Sequence, residues 1–114
     1  MSVKIDVKPL SMNMAYRGGK RYKTPRYKQF INDCLVNLKP MKIPGGNLEF
    51  HIQIGVSNKG FDLDNCLKPF IDILQKKYGF NDNRIYHIGA YKRIVPKGKE
   101  YISFDIFEAI ENDC

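Results

Sequence analysis

Apolar and polar positions alternate at Val3, Ile5 and Val7, which predicts a short first strand closed by Pro9. No sustained period runs from Leu10 to Lys23, and Gly18-Gly19 sits there among basic residues, so this stretch reads as a loop. Thr24-Pro25 suits a helix start, because threonine caps and proline at the first helical position gives up no needed N–H. Tyr27, Phe30, Ile31, Cys34, Leu35 and Leu38 then recur at helical spacing, and Pro40, Pro44 and Gly45-Gly46 end the element. Leu48, Phe50, Ile52, Ile54 and Val56 alternate strictly, which predicts a strand over 48–56. After a loop at 57–61, a second helix is predicted from about Asp64 to Tyr78, with Leu67, Phe70, Ile71, Leu74 and Tyr78 inward and Gly79 as its stop. Pro69 lies inside it and removes one backbone hydrogen bond. Residues 85–95 read as a strand, 96–99 as a turn and 101–107 as the hairpin partner, with a fraying acidic tail beyond. The order β-α-β-α-β-β predicts a single α+β domain over 1–114, a mixed sheet covered by helices.

Composition narrows the class. At 114 residues the chain buries roughly 60–70% of its unfolded surface, enough for one core without staples. With 43% hydrophobic and 27% charged residues it is neither disordered nor fibrous. No apolar run approaches the ~20 residues of a membrane span, and no apolar stretch follows the N-terminus, so neither span nor signal peptide is expected. Cys34, Cys66 and Cys114 are far apart and form no CxxC pair, which fits a reducing cytosol and excludes a disulfide framework or a zinc knuckle. Two histidines are too few for a His-rich metal site: His51 reads as a buried strand residue, and His87 stands closer to the acidic loop with little expected of it. The net charge of +7 is concentrated: residues 1–46 carry ten basic and two acidic side chains, residues 47–114 nine and ten. A basic front half points to a polyanionic partner, nucleic acid foremost.

The chemistry-bearing stretch is 60–72. Asp62 and Asp64 flank one apolar residue at a loop end, and residues two apart in extended chain point the same way, so the two carboxylates converge. Asp64 stands where a helix N-cap belongs, and Lys68 and Asp72 follow at four-residue intervals on one face. Asp82 returns in Asn81-Asp82-Asn83 at the mouth of the next strand. Oxygen-only donors suit a hard cation, Mg²⁺ or Mn²⁺, shared with a phosphate. Singly, each residue has a plainer reading: a cap at Asp64, a solvated partner of Lys68 or Lys76 at Asp72, a turn former at Asp82. Together Asp62, Asp64, Lys68 and Asp82 point to a metal site at Asp62, Asp64 and Asp82, with Lys68 stabilising charge at phosphorus. An EF-hand is excluded, since the twelfth position from Asp62 is Ile73.

Residues 17–28 hold Arg17, Lys20, Arg21, Lys23, Arg26 and Lys28 without an acid, interleaved with tyrosines, a mixture suited to phosphate contacts and stacking. The glycine pair there lacks the remaining P-loop residues. Four blocks in order are Pro9-Leu10-Ser11-Met12-Asn13-Met14-Ala15-Tyr16, Gly19-Lys20-Arg21-Tyr22-Lys23-Thr24, Asp62-Leu63-Asp64-Asn65-Cys66-Leu67-Lys68 and Asn81-Asp82-Asn83-Arg84-Ile85. They resemble the RusA-type Holliday junction resolvases over nearly the whole chain, and the D-x-D-N-x-x-K block is the most specific. The resemblance implies a small homodimeric, Mg²⁺-dependent endonuclease of phage or prophage type, acting in the bacterial cytoplasm. It would bind four-way DNA junctions and nick opposing strands, leaving 5′-phosphate and 3′-hydroxyl ends, in recombination and repair.

The resemblance further implies that Asp62, Asp64 and Asp82 match the family's catalytic carboxylates and Lys68 its essential lysine, with Asp72 at a supporting position. Asn81-Asp82 departs from the Asp-Asp frequent in the family. Arg17, Lys20, Arg21 and Lys23 are the expected DNA contacts; neither a membrane nor a small-molecule cofactor is expected. Two other functions stay open on the residues alone. One is a non-catalytic nucleic-acid-binding module whose acids are caps and turns; the other is a small toxin or ribonuclease using the same carboxylates.

Overall fold

The computed structural model describes residues 3–10, 16–17 and 22–109, without the side chains of 16–17 and 22–23. Its elements are β1 (Val3–Ile5), β2 (Tyr16–Arg17), β3 (Tyr22–Lys23), α1 (Pro25–Asn37), β4 (Leu48–Val56), α2 (Leu63–Tyr78), a turn of 3-10 helix (Asp82–Arg84), β5 (Ile85–Ile94) and β6 (Tyr101–Glu108). The expected α+β order is present, with one addition: β2 and β3 pair as a short antiparallel ribbon, Tyr16 opposite Lys23, inside the stretch expected to be loop. Two paired residues per strand are too few to show as a hydrophobic period.

Local chemistry sets the helix ends. Thr24 Oγ1 accepts the Tyr27 N–H at 3.2 Å, and Pro25 follows at the first helical position. Gly79 closes α2 in the left-handed conformation, φ 69°, its N–H donating to the Gln75 carbonyl at 2.8 Å. The helix runs unbroken through Pro69, whose ring is fully buried.

The four-stranded sheet has the order β1-β6-β4-β5. Here the structure corrects an expectation: β5 and β6 are not hairpin partners. β4 lies between them, parallel to β5 and antiparallel to β6. The six residues 95–100 step across the end of β4, where the Val95 N–H donates to the Val56 carbonyl at 2.8 Å. Two strand spacings are about 10 Å, within reach of a six-residue link. An alternating pattern marks a strand without naming its neighbour, which is why the split pair read as a hairpin.

Burial along β4 follows the pleat. Leu48, Phe50, Ile52, Ile54 and Val56 are buried and share one core with Tyr27, Phe30 and Cys34 of α1 and with Phe70, Ile73 and Leu74 of α2. Both helices therefore cover one face of the sheet. The other face presents Glu49, His51 and Gln53, all half-buried. At its far end Tyr101 lies over Gly55, where an added Cβ would meet the ring at 2.3 Å, and Lys4 stacks on that ring from the other side of β6.

At the centre, Phe70 is fully buried and meets Phe104 edge-on, ring centroids 5.4 Å apart. Phe70→Ala should destabilise the fold by about 3–5 kcal/mol, read as a lower urea midpoint at unchanged slope.

Candidate active site

The connection from β4 to β5 carries every acid of the predicted site. Its first loop is shaped by Asn58, whose side chain accepts the Gly60 N–H at 2.9 Å and whose carbonyl accepts the Phe61 N–H at 3.2 Å. Lys92, reaching from β5, donates to the carbonyls of Lys59 and Phe61, each at 2.9 Å. The chain delivering Asp62 is thus fastened to the sheet by a charged donor that sequence spacing did not reveal.

Asp62, not Asp64, is the N-cap residue of α2: its backbone is extended and its carbonyl accepts the Asn65 N–H at 3.2 Å. Asp64 stands one turn before Lys68 as the second helical residue, so the extended-chain argument for convergence does not apply to the pair. Unlike Thr24, Asp62 does not use its side chain to cap. Its carboxylate takes no helix N–H and accepts from the Asn65 side-chain amide at 3.3 Å. Both carboxylates are exposed at a helix N-terminus, where the dipole favours negative charge.

Lys68 draws the rest together. Its ammonium lies 3.1 Å from Asp72 Oδ1 and 3.9 Å from Asp82 Oδ2. Gly79 turns the chain back along α2 and Asn81 caps the 3-10 turn, its side chain accepting the Asn83 N–H at 2.9 Å. Gln75 fixes the return: its carbonyl oxygen accepts the Asp82 N–H at 2.8 Å while its amide donates to Asp72 at 3.3 Å. Gln75 was not anticipated, although its place three residues after Asp72, on the same helix flank, was readable. Arg84 ties this corner to the carbonyls of Gly46 and Pro44.

Lys68 thus meets Asp72 at the helical four-residue interval and also meets Asp82, and Asp64 lies one turn away; among the described residues no contact ties Asp62 or Asp64 to Asp82. Of the expected DNA contacts, Lys20 and Arg21 lie outside the described residues, as do the side chains of Arg17 and Lys23. Cys66 belongs to the core: it is fully buried, and burial pushes its thiol up to about 12. Cys34 is likewise pushed to about 12, by burial first and then by the neighbouring Cys66 and Asp33.

The histidines correct the sequence reading. His51 is half-exposed rather than buried, and it joins Glu49 and His87 on the sheet face opposite the helices. Among the described residues, those three form the group whose ligand atoms all lie within 4.8 Å of one another. The sequence matches no protein-family model and no curated protein.

Two outcomes follow from these contacts. Alkylation at mildly alkaline pH should leave Cys34 and Cys66 unmodified in the native protein and modify both in denaturant, as peptide mass mapping would show. Lys92→Met should release the loop before Asp62, raising amide exchange at Gly60 and Phe61 by about tenfold or more, the loss of a charged hydrogen-bond donor being worth about 1.5–3 kcal/mol.

Proposed function

We propose that this chain is a metal-dependent DNA endonuclease that resolves four-way junctions, as the resemblance to RusA-type resolvases implies. The observation that carries the proposal is Lys68, held between Asp72 and Asp82 on an exposed flank one turn past Asp64. Asp62, a cap residue whose carboxylate takes no helix N–H, adds an anionic group that the helix start does not consume.

The donor chemistry fits a hard divalent cation. Asp62, Asp64 and Asp82 offer oxygen only, and all are open to solvent to some degree, which suits Mg²⁺ or Mn²⁺ keeping part of its water beside a phosphate. These three residues would hold the ion, which when bound supplies an activated water and neutralises phosphate charge. Lys68 places a positive charge where the leaving oxygen develops negative charge, and Asp72 and Gln75 fix the approach of the lysine and of Asp82.

Arg17, Lys20, Arg21 and Lys23 would hold the phosphate backbone, making affinity fall with salt. A homodimer matches the near two-fold symmetry of a junction, two sites giving two paired nicks. The bacterial cytoplasm is the compartment that the resemblance implies. No helix among the described residues is long and apolar enough to cross a membrane.

A gel assay with an end-labelled four-way junction and a matched linear duplex, each with Mg²⁺ or EDTA, tests the proposal. Paired nicks are expected in the junction alone, lost with EDTA and with Asp64→Asn, and reduced about 10²–10³-fold by Lys68→Ala. Full cleavage by Asp64→Asn would refute the metal assignment. Tight junction binding without nicks would favour the non-catalytic binding module, and preferential RNA cleavage the ribonuclease.

A further inference from the structure

The open face of the sheet carries chemistry that the proposed nuclease does not use. Glu49 and His51 are two apart on β4 and so project from the same face. His87 stands on β5 in register with Glu49, and Gly89 in register with His51. The His51 Nε2 lies 2.5 Å from Glu49 Oε2, and the two imidazole rings are 5.6 Å apart, tilted by 44°. Hydrogen bonding from His51, reinforced by the charge of both histidines, holds the Glu49 carboxyl below its ordinary range.

We infer that Glu49, His51 and His87 form a binding site for a borderline divalent metal ion of the Zn²⁺ class. Their ligand atoms all lie within 4.8 Å of one another. Two imidazoles and one carboxylate are a donor set for Zn²⁺, Co²⁺ or Ni²⁺, in contrast to the oxygen-only acids of the helix face. Three protein ligands leave at least one coordination position turned to solvent. The ion would take the place of the hydrogen bond between His51 and Glu49, any proton on the ligating nitrogen passing to solvent, with a small closure of the three side chains.

A simple Glu–His pair accounts for two of the residues but not for their surroundings. Gly89 is the second observation. A Cβ at this position would stand 2.8 Å from His51 Nδ1, so the absent side chain is what gives the ring its place over β5, toward His87. Phe107, in register with Glu49 on β6, meets the His51 ring edge-on at 5.7 Å and walls the opposite side. Such an apolar wall restricts water and ring motion around a ligand. The helices pack on the other side of the sheet, so this site is separate from the acids of α2.

The test is titration of the 114-residue chain with Zn²⁺ by calorimetry, and with Co²⁺ by visible absorption, in excess Mg²⁺. One ion per chain is expected, with a Co²⁺ spectrum of low coordination number and NMR shifts or broadening at the His51 and His87 rings. Glu49→Gln and His87→Ala should each weaken binding by more than the roughly 10–100-fold that losing an outer-shell partner of a ligand costs, while Asp64→Asn leaves it unchanged. Gly89→Ala keeps all three ligands but should weaken binding by displacing the His51 ring, with the fold verified by circular dichroism. No uptake of Zn²⁺, or uptake undiminished by His87→Ala, would overturn the site.

Discussion

The parallel pairing of β4 with β5 is the constraint on which the rest of the structure depends. A parallel neighbour lies beyond the reach of a tight turn, so the chain must travel back over the sheet before pairing. Residues 57–84 make that journey, and α2, about 24 Å long at 1.5 Å per residue, carries it. Because the crossover is obligatory, its flanking loops sit at fixed places against the sheet. Asp62 and Asp64 are set where the crossover enters the helix, and Asp82 where it leaves. Lys92 and Gln75 then tie each end down with hydrogen bonds to the backbone.

The same strand divides the molecule chemically. Even-numbered residues of β4 face the helices and are sealed from water; odd-numbered residues face out and carry Glu49, His51 and Gln53. A sheet with helices on one face leaves the other free to be polar. The antiparallel bond to β6 brings Phe107 beside Glu49, and the parallel bond to β5 brings His87 to its other side. Acidic and imidazole groups thus lie on opposite sides of one apolar layer, each set placed by the register of a single strand.

What the sequence disclosed follows from the range of the interactions involved. The cap at Thr24, the stop at Gly79 and the bounds of β4 rest on neighbours within a few residues, and periodicity shows them. Lys68 with Asp72 is a helical i,i+4 relation and was legible for the same reason. The neighbours of β6, the clamp at Lys92 and the meeting of His51 with His87 depend on pairing between distant segments. The cap at Asp62 was misplaced by two residues because both aspartates satisfy the same preference, and only the backbone conformation separates them. A lone histidine on an alternating strand gives no hint of the residue beside it, and Gly89 makes sense only once the ring it accommodates is known.

The Lys68 cluster adds little to holding the fold together. Its side chains are from about a third to more than half exposed (57% for Lys68, 35% for Asp72, 42% for Asp82), and ion pairs in such positions contribute only about 0–1 kcal/mol. Crowding carboxylates along one exposed flank also brings mutual repulsion, which an unconstrained surface would relieve by spreading them. Yet Gln75 holds two of these acids at once, and Asn81 with Gly79 aims the return strand at the lysine. Neutral hydrogen bonds that fix charged groups in place serve position more than stability. Positioning of this kind is what a phosphate-cleaving site requires, since its charges must already be aligned when the transition state forms.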